Sequence, residues 1–221
     1  MATEIIQKII KQFPFCNQNH NEVENLLQKY IKIVTEYNQE YNIIGKSTLE
    51  SFFDRHILDS LSLLQYCQYQ NLIDLGSGCG IPALIVAIFC PTINITMVEK
   101  AYSKITFLNI AKKLVDETYP ERKIKILHCQ VSEINENDLE NGEYLLTARA
   151  FKSMVETLQV FNQMRSSVKK KISKIVLFKG DKYISEVVEA QKKFHFIYQT
   201  SLNLNEKGVM IEIPTENILA L

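Results

Sequence analysis

The segment Leu72-Ile73-Asp74-Leu75-Gly76-Ser77-Gly78-Cys79-Gly80-Ile81 constrains the fold more than any other stretch of the chain. Leu72, Ile73 and Leu75 give the apolar run of a strand buried on both faces, as in a parallel sheet. Gly76, Gly78 and Gly80 follow at alternate positions, where glycine admits positive φ and lets a ligand approach the backbone. From Ile81 to Phe89 the chain is apolar and long enough for a helix packed on that strand, its free N-terminal amides aimed into the turn. Asn94 to Val98 reads as the next strand and Glu99 ends it. That acid stands about 20 residues past the glycines, the offset of a group that holds ribose hydroxyls. The competing reading is a glycine-rich turn that binds nothing, and the acid-tipped second strand argues against it.

Around this unit the pattern repeats. Thr3 to Phe13 and Glu22 to Tyr41 carry helical periodicity, with Val23, Leu26, Leu27, Tyr30, Ile33, Val34 and Tyr37 as one apolar stripe. They predict an N-terminal helical extension over residues 1–68, capping a main domain over residues 69–221 and packed with it as one unit. Phe52 to Tyr66 reads as a further helix, on which Arg55 and Asp59 can pair at i, i+4. Beyond the glycines the chain predicts a helix over Ser103 to Thr118 and a strand over Lys123 to Cys129. An acidic loop (Glu133 to Gly142) and a strand over Tyr144 to Ala148 come next. A helix (Met154 to Met164), a strand (Ser173 to Phe178) and a helix (Ile184 to Lys192) then precede a final pair, Phe194 to Leu202 and Gly208 to Ile213, whose short join makes them an antiparallel hairpin. The expected class is α/β, Rossmann-like: a doubly wound, mostly parallel sheet with ligands beyond the carboxyl ends of its strands. Every candidate functional residue falls there: the glycine turn, Glu99, Val131 and Ser132, Arg149, Lys179.

Composition bounds the setting. No apolar run reaches the length of a membrane span, and the N-terminus lacks the basic-then-apolar pattern of a secretory signal. Cys16, Cys67, Cys79, Cys90 and Cys129 include no C-x-x-C pair, which fits reduced thiols in a cytoplasmic protein and gives no metal site. The formal net charge of +0 means that any nucleic-acid contact must come from a local patch. The densest basic run, Lys169-Lys170-Lys171 with Lys174, either binds phosphate or is a solvated helix end.

The pattern D-x-G-x-G-x-G is not the dinucleotide G-x-G-x-x-G, and it resembles motif I of S-adenosylmethionine-dependent methyltransferases. That resemblance implies S-adenosyl-L-methionine as cofactor, held by Asp74, Gly76, Ser77, Gly78, Gly80, Ile81 and Glu99. Methyltransferases of exocyclic base amines carry a Pro-Pro turn after the fourth strand, where this chain has Thr147-Ala148-Arg149-Ala150-Phe151. Those acting on cytosine C5 need a Pro-Cys step, and Cys90-Pro91 has the reverse order.

A closer resemblance rests on Tyr37-Asn38-Gln39-Glu40-Tyr41-Asn42, Arg55-His56-Ile57-Leu58-Asp59-Ser60-Leu61, Asp74 to Pro82, Arg149-Ala150-Phe151 and Lys179-Gly180. In order and spacing these resemble the bacterial 16S rRNA guanine-N7 methyltransferase family G, also called glucose-inhibited division protein B. The Arg-His-Ile-Leu-Asp-Ser block is the most specific part. The resemblance implies methyl transfer to N7 of one guanine in the conserved loop of 16S rRNA near the decoding site. Its partner is 16S rRNA or the small ribosomal subunit; a monomer with no membrane attachment is expected. It places cofactor contacts at Gly76, Ile81, Val131, Ser132 and Arg149, with Arg149 also reaching the reacting site as the catalytic residue. The family often has an acid where Ser132 stands and an arginine where Gln130 stands; here Glu133 comes one position later. Arg55, His56 and Lys179 are the expected substrate contacts. For His56 the bland alternative is a partly buried histidine satisfied within the fold. A methyltransferase of a small molecule or a protein, and a cofactor-binding assembly factor without turnover, remain open on the residues alone.

Overall fold

The computed structural model describes residues 2–45, 49, 51–204 and 206–221. Seven strands form one sheet in the order β3-β2-β1-β4-β5-β8-β7. They are β1 (Asn71–Leu75), β2 (Asn94–Glu99), β3 (Ile124–His128), β4 (Tyr144–Arg149), β5 (Ile172–Lys179), β7 (Gln199–Leu202) and β8 (Val209–Pro214). β1 pairs in parallel with β2 on one side and with β4 on the other, so strand order reverses at the β1/β4 seam, where open α/β sheets bind ligands. β8 returns antiparallel beside β5, and β7 pairs antiparallel with β8, as the short join predicts. All five residues of β1 are buried, because helices cover both faces of the sheet.

On one face lie α1 (Ala2–Gln12), α2 (His20–Tyr41), α4 (Ala83–Phe89) and α5 (Tyr102–Thr118). Their core joins Ile6, Val23, Tyr30 and Phe52 to Leu84, Phe89 and Phe107 without a break, so the N-terminal helices share a core with the sheet. The other face carries α6 (Met154–Gln163), α7 (Ser166–Lys169) and α8 (Tyr183–Gln191) over Leu146, Ile175 and Ile211.

Three local differences from the sequence expectation have physical causes. Residues 53–66 are not a uniform helix. A π-turn (Phe53–Ile57) leads into α3 (Leu58–Leu61) and a tighter turn (Ser62–Tyr66), with Leu58 N–H reaching back to Phe53 O. The extra residue of the π-turn rotates Asp59 away from Arg55. The helix expected from Ile81 begins at Ala83, after a cis Ile81–Pro82 bond. The strand expected over Phe194 to Leu202 splits. Its first part, β6 (Phe194–His195), leaves the sheet to pair with β9 (Leu219–Ala220), a partner with no periodic signal.

Candidate active site

The glycine turn is built by its own backbone. Gly76, Gly78 and Gly80 have φ of 69°, 57° and 87°, a region L side chains avoid. Gly76 and Ser77 N–H both donate to Val98 O, at 2.8 and 3.2 Å, which ties the turn to the end of β2. A Cβ on Gly76 would lie 2.4 Å from the Phe151 ring, and one on Gly80 2.4 Å from Leu84, so both glycines exist for close packing. Gly78 differs: a Cβ there would meet only Gly76 O, at 3.7 Å, so it faces open space. From behind, the fully buried Tyr30 of α2 donates its hydroxyl to Cys79 O at 2.6 Å.

Glu99 closes the turn from the front. Its Oε2 accepts from Gly78 N–H at 3.0 Å, and Oε1 accepts from Lys100 and Ala101 N–H at 2.8 and 2.9 Å. Asp74, at the end of β1, has no exposed surface and neither carboxyl oxygen has a partner. The Ser77 hydroxyl beside it donates to the Asp74 backbone carbonyl instead, at 3.0 Å. Burial pushes the Asp74 carboxyl up to about 8; Glu99 adds to the rise, while Ser77 and Arg149 oppose it. At neutral pH the group is largely protonated and lacks a cation.

Two cavities open beyond the carboxyl ends of the strands. The smaller, about 460 Å³, is lined by Gly76, Glu99, Lys100, Lys104 and the Gln130-Val131-Ser132 segment. It therefore gathers four of the expected cofactor contacts: Gly76, Glu99, Val131 and Ser132. Asp74, Ser77, Gly78, Gly80 and Ile81 form the strand end and turn behind it and are not in its lining. Glu133, one position past Ser132, bonds within its own turn. Its carboxylate caps the short turn Val131–Glu133 by accepting from Gln130 N–H at 2.6 Å, which presents the two preceding residues.

The larger cavity, about 740 Å³, brings together Arg55, His56, Asp59, Arg149, Lys179 and Asn203. Arg149 lines this cavity and not the smaller one. Its NH2 donates to Arg55 O at 2.7 Å and to Asp59 Oδ2 at 3.0 Å, so Asp59 pairs with Arg149 across the site rather than with Arg55. Arg55 itself is exposed at the mouth. Lys179 is turned into the wall: its Nζ donates to Glu186 Oε2 at 2.6 Å and to Lys152 O at 3.1 Å. Glu186 also accepts from Met154 N–H at 2.9 Å, so this ion pair holds the segment after Arg149 at Lys152 and at Met154. His56 is 7% exposed, yet neither ring nitrogen has a partner. The bland reading of a satisfied histidine thus fails on its second half. Burial, then Arg149 and Arg55, draw His56 down to about 4, so the ring is neutral at pH 7.

Ala150, Phe151 and Lys152 line both cavities. Ala150 holds φ of 51°, a left-handed conformation costly for a residue with a Cβ. The Lys169-Lys170-Lys171 run lies away from this region, at the start of β5. Lys169 donates to Asn162 O, Lys171 to Glu140 O and Lys174 to Glu212, which favours the structural reading. The cations at the cavity mouths are instead Arg55 and Lys207 by the larger, Lys100 and Lys104 by the smaller, and Lys152 by both. Among the described residues no group of His, Cys, Asp or Glu could hold a metal ion.

Asp59, Glu186 and Asn203 escaped the sequence reading as site residues. Asn203 and Asp59 bond across 144 positions of chain, and no local periodicity carries such a pairing. Phe151 had one signal, its place beside Arg149.

The methyltransferase domain of bacterial CtHen1-CN superposes with a TM-score of 0.51 at 13% identity, over 72% of this chain and 96% of that one. A SAM-dependent methyltransferase from Aquifex aeolicus gives 0.50 at 9% identity, over 74% and 92%. These share the fold. Sequence relatives go further. The ribosomal RNA small subunit methyltransferase G of Brachyspira hyodysenteriae is 34% identical over 190 residues, covering 86% of this chain and 85% of that protein. Its namesake from Rickettsia massiliae is 31% identical over 196 residues, covering 87% and 93%. The family model described as rRNA small subunit methyltransferase G matches residues 23–212. The chain has the S-adenosylmethionine-dependent methyltransferase fold, and it belongs to the GidB family of rRNA small subunit methyltransferase G.

Proposed function

We propose that this protein transfers the methyl group of S-adenosylmethionine to N7 of a guanine in the decoding-site-proximal loop of 16S rRNA, as a monomer in the cytoplasm. The observation that carries the choice of atom is the state of the acids in the larger cavity. Asp59 and Glu186 are both committed to cations, and His56 is too weak a base to draw a proton effectively. Guanine N7 has a free lone pair at neutral pH and needs no base. No described helix is long and apolar enough to cross a membrane.

The residues fit the cofactor. Gly78 leaves open space in the turn, and Asp74 is a buried carboxyl without a partner, suited to a ligand that brings positive charge. Gly76, Val131 and Ser132 would enclose it, with Glu99 toward the ribose. Bound S-adenosylmethionine would supply an electrophilic methyl on a sulfonium. The chain's part is placement and water exclusion. Arg149, fixed by Asp59, directs donors into the larger cavity, where guanine O6 accepts them while N7 stays free. Arg55 meets phosphate at the mouth. Lys179 acts through the wall by fixing the 150–154 segment. The experiment is methylation of 16S rRNA by the purified protein, followed by reduction and aniline cleavage, which breaks the strand at 7-methylguanine. One protein-dependent break is expected; an unbroken strand after full methyl incorporation would place the methyl on another atom.

A further inference from the structure

Two polar groups buried in the larger cavity have nothing to bond. Asn203 is 4% exposed and its Oδ1 has no partner; His56 is 7% exposed and both its ring nitrogens lack one. Both residues line the larger cavity and neither lines the smaller. The Asn203 amide cannot flip. Its Nδ2 donates to Asp59 Oδ1 at 2.9 Å, and that Arg149-paired carboxylate accepts, so Oδ1 is the amide atom left without a partner. The backbone is equally fixed. Asn203 N–H donates to Gly208 O at 3.0 Å, and Leu204 N–H to Ser62 Oγ at 2.9 Å, which pins the β7–β8 turn to the helix carrying Asp59. A Cβ on Gly208 would come within 2.7 Å of Asn203 Nδ2, so the amide rests on a glycine.

A buried acceptor without a donor is costly, and at a ligand cavity the ligand can supply the donor. Guanine suits a wall of this kind. It presents acceptors at O6 and N7, and donors at N1–H and the 2-amino group. Arg149 answers O6, while N7 stays free to attack. With N7 facing the wall shared by the two cavities, the 2-amino group is the polar group of the ring furthest from it, on the side of the residues that line only the larger cavity. We propose that Asn203 Oδ1 accepts a hydrogen bond from the 2-amino group of the target guanine, with a His56 ring nitrogen accepting from N1–H, which makes Asn203 a specificity-determining residue. The neutral state of His56 leaves one ring nitrogen as an acceptor. Adenine has neither hydrogen and would leave both acceptors unpaired, the arrangement by which a polar site rejects an analogue. This assignment rests on the guanine-N7 reading above.

The test compares two ligated small-subunit RNAs that differ at one nucleotide, guanosine or inosine. Inosine keeps N7, O6 and N1–H and lacks only the 2-amino group. For the unaltered protein, kcat/KM should fall on the order of tenfold with inosine. Asn203→Ala should bring guanosine and inosine to the same kcat/KM, so the preference disappears whatever the lost bond to Asp59 costs on both RNAs. Melting temperature and S-adenosylhomocysteine affinity establish that the variant is folded, and Asn203→Ser is measured alongside in case the alanine variant is not. A merely structural role would slow both RNAs alike and keep the preference. Either a preference retained in the folded variant, or none in the active unaltered protein, overturns the proposal and leaves the N7 reading standing. Absence of 7-methylguanine with the guanosine RNA overturns both.

Discussion

At the scale of single residues, Asp74 has the sharpest consequences. Its carboxyl is held near 8 in the folded chain, against an ordinary value near 3.8. Folding therefore takes up a proton between about pH 4 and pH 8, and stability contributed by this group declines as pH rises through that window. Asp74→Asn should flatten that dependence and raise the melting temperature of the ligand-free protein at pH 8. The same substitution should weaken S-adenosylmethionine binding roughly tenfold, since the negative charge behind the glycine turn is lost. A cationic ligand also favours the ionised form, so cofactor binding in the unaltered protein should expel a proton and tighten from pH 6 toward pH 8. Calorimetry in two buffers of different ionisation enthalpy reads the proton directly; identical heats would disprove the coupling. Asp74 was legible in the sequence as part of the motif, but its missing partner was not, because burial of a side chain is a property of the assembled sheet.

Among elements, the segment joining β4 to α6 carries the most function per residue, and Lys179 and Glu186 govern it from outside. Their ion pair spans the end of β5 and the first part of α8, with side-chain exposures of 9% and 31%. Lys179→Met should cost about 1–2 kcal/mol, because Glu186 loses its charged partner while keeping the Met154 amide. Methyl transfer should fall further than that stability loss explains, chiefly in kcat. Lys179→Met with Glu186→Leu should recover the melting temperature without recovering kcat; full recovery of both would show that the pair serves stability alone. The alternating strands and helices, the acid-tipped β2 and the terminal hairpin were readable because each has its own period and its own breaker. The π-turn at Phe53 was not: a helix with one extra residue keeps nearly the same apolar stripe, yet it swings Asp59 from Arg55 to Arg149. The pairing of β6 with β9 was hidden for a similar reason, since two-residue strands are too short to show alternation.

For the molecule as a whole, a formal charge of +0 coexists with cations at both cavity mouths. RNA affinity should therefore depend on a few residues rather than on overall charge. Lys100→Glu and Lys152→Glu should each weaken binding and reduce the slope of log affinity against log salt by roughly one, if each lysine meets one phosphate. Lys170→Glu, at the far end of the sheet, should leave the slope unchanged, and filter binding at several salt concentrations distinguishes the two sets. The sequence drew attention to the lysine run because density is visible in a line of text, whereas the mouth cations come from four separate segments. The division into two chambers has a consequence of its own. Ala150, Phe151 and Lys152 are the residues common to both linings, and each chamber otherwise has its own walls. Cofactor and RNA can then arrive in either order, and the spent cofactor can depart while the RNA is still held. Steady-state kinetics should follow a random sequential scheme, and the traffic of one ligand need not wait for the other.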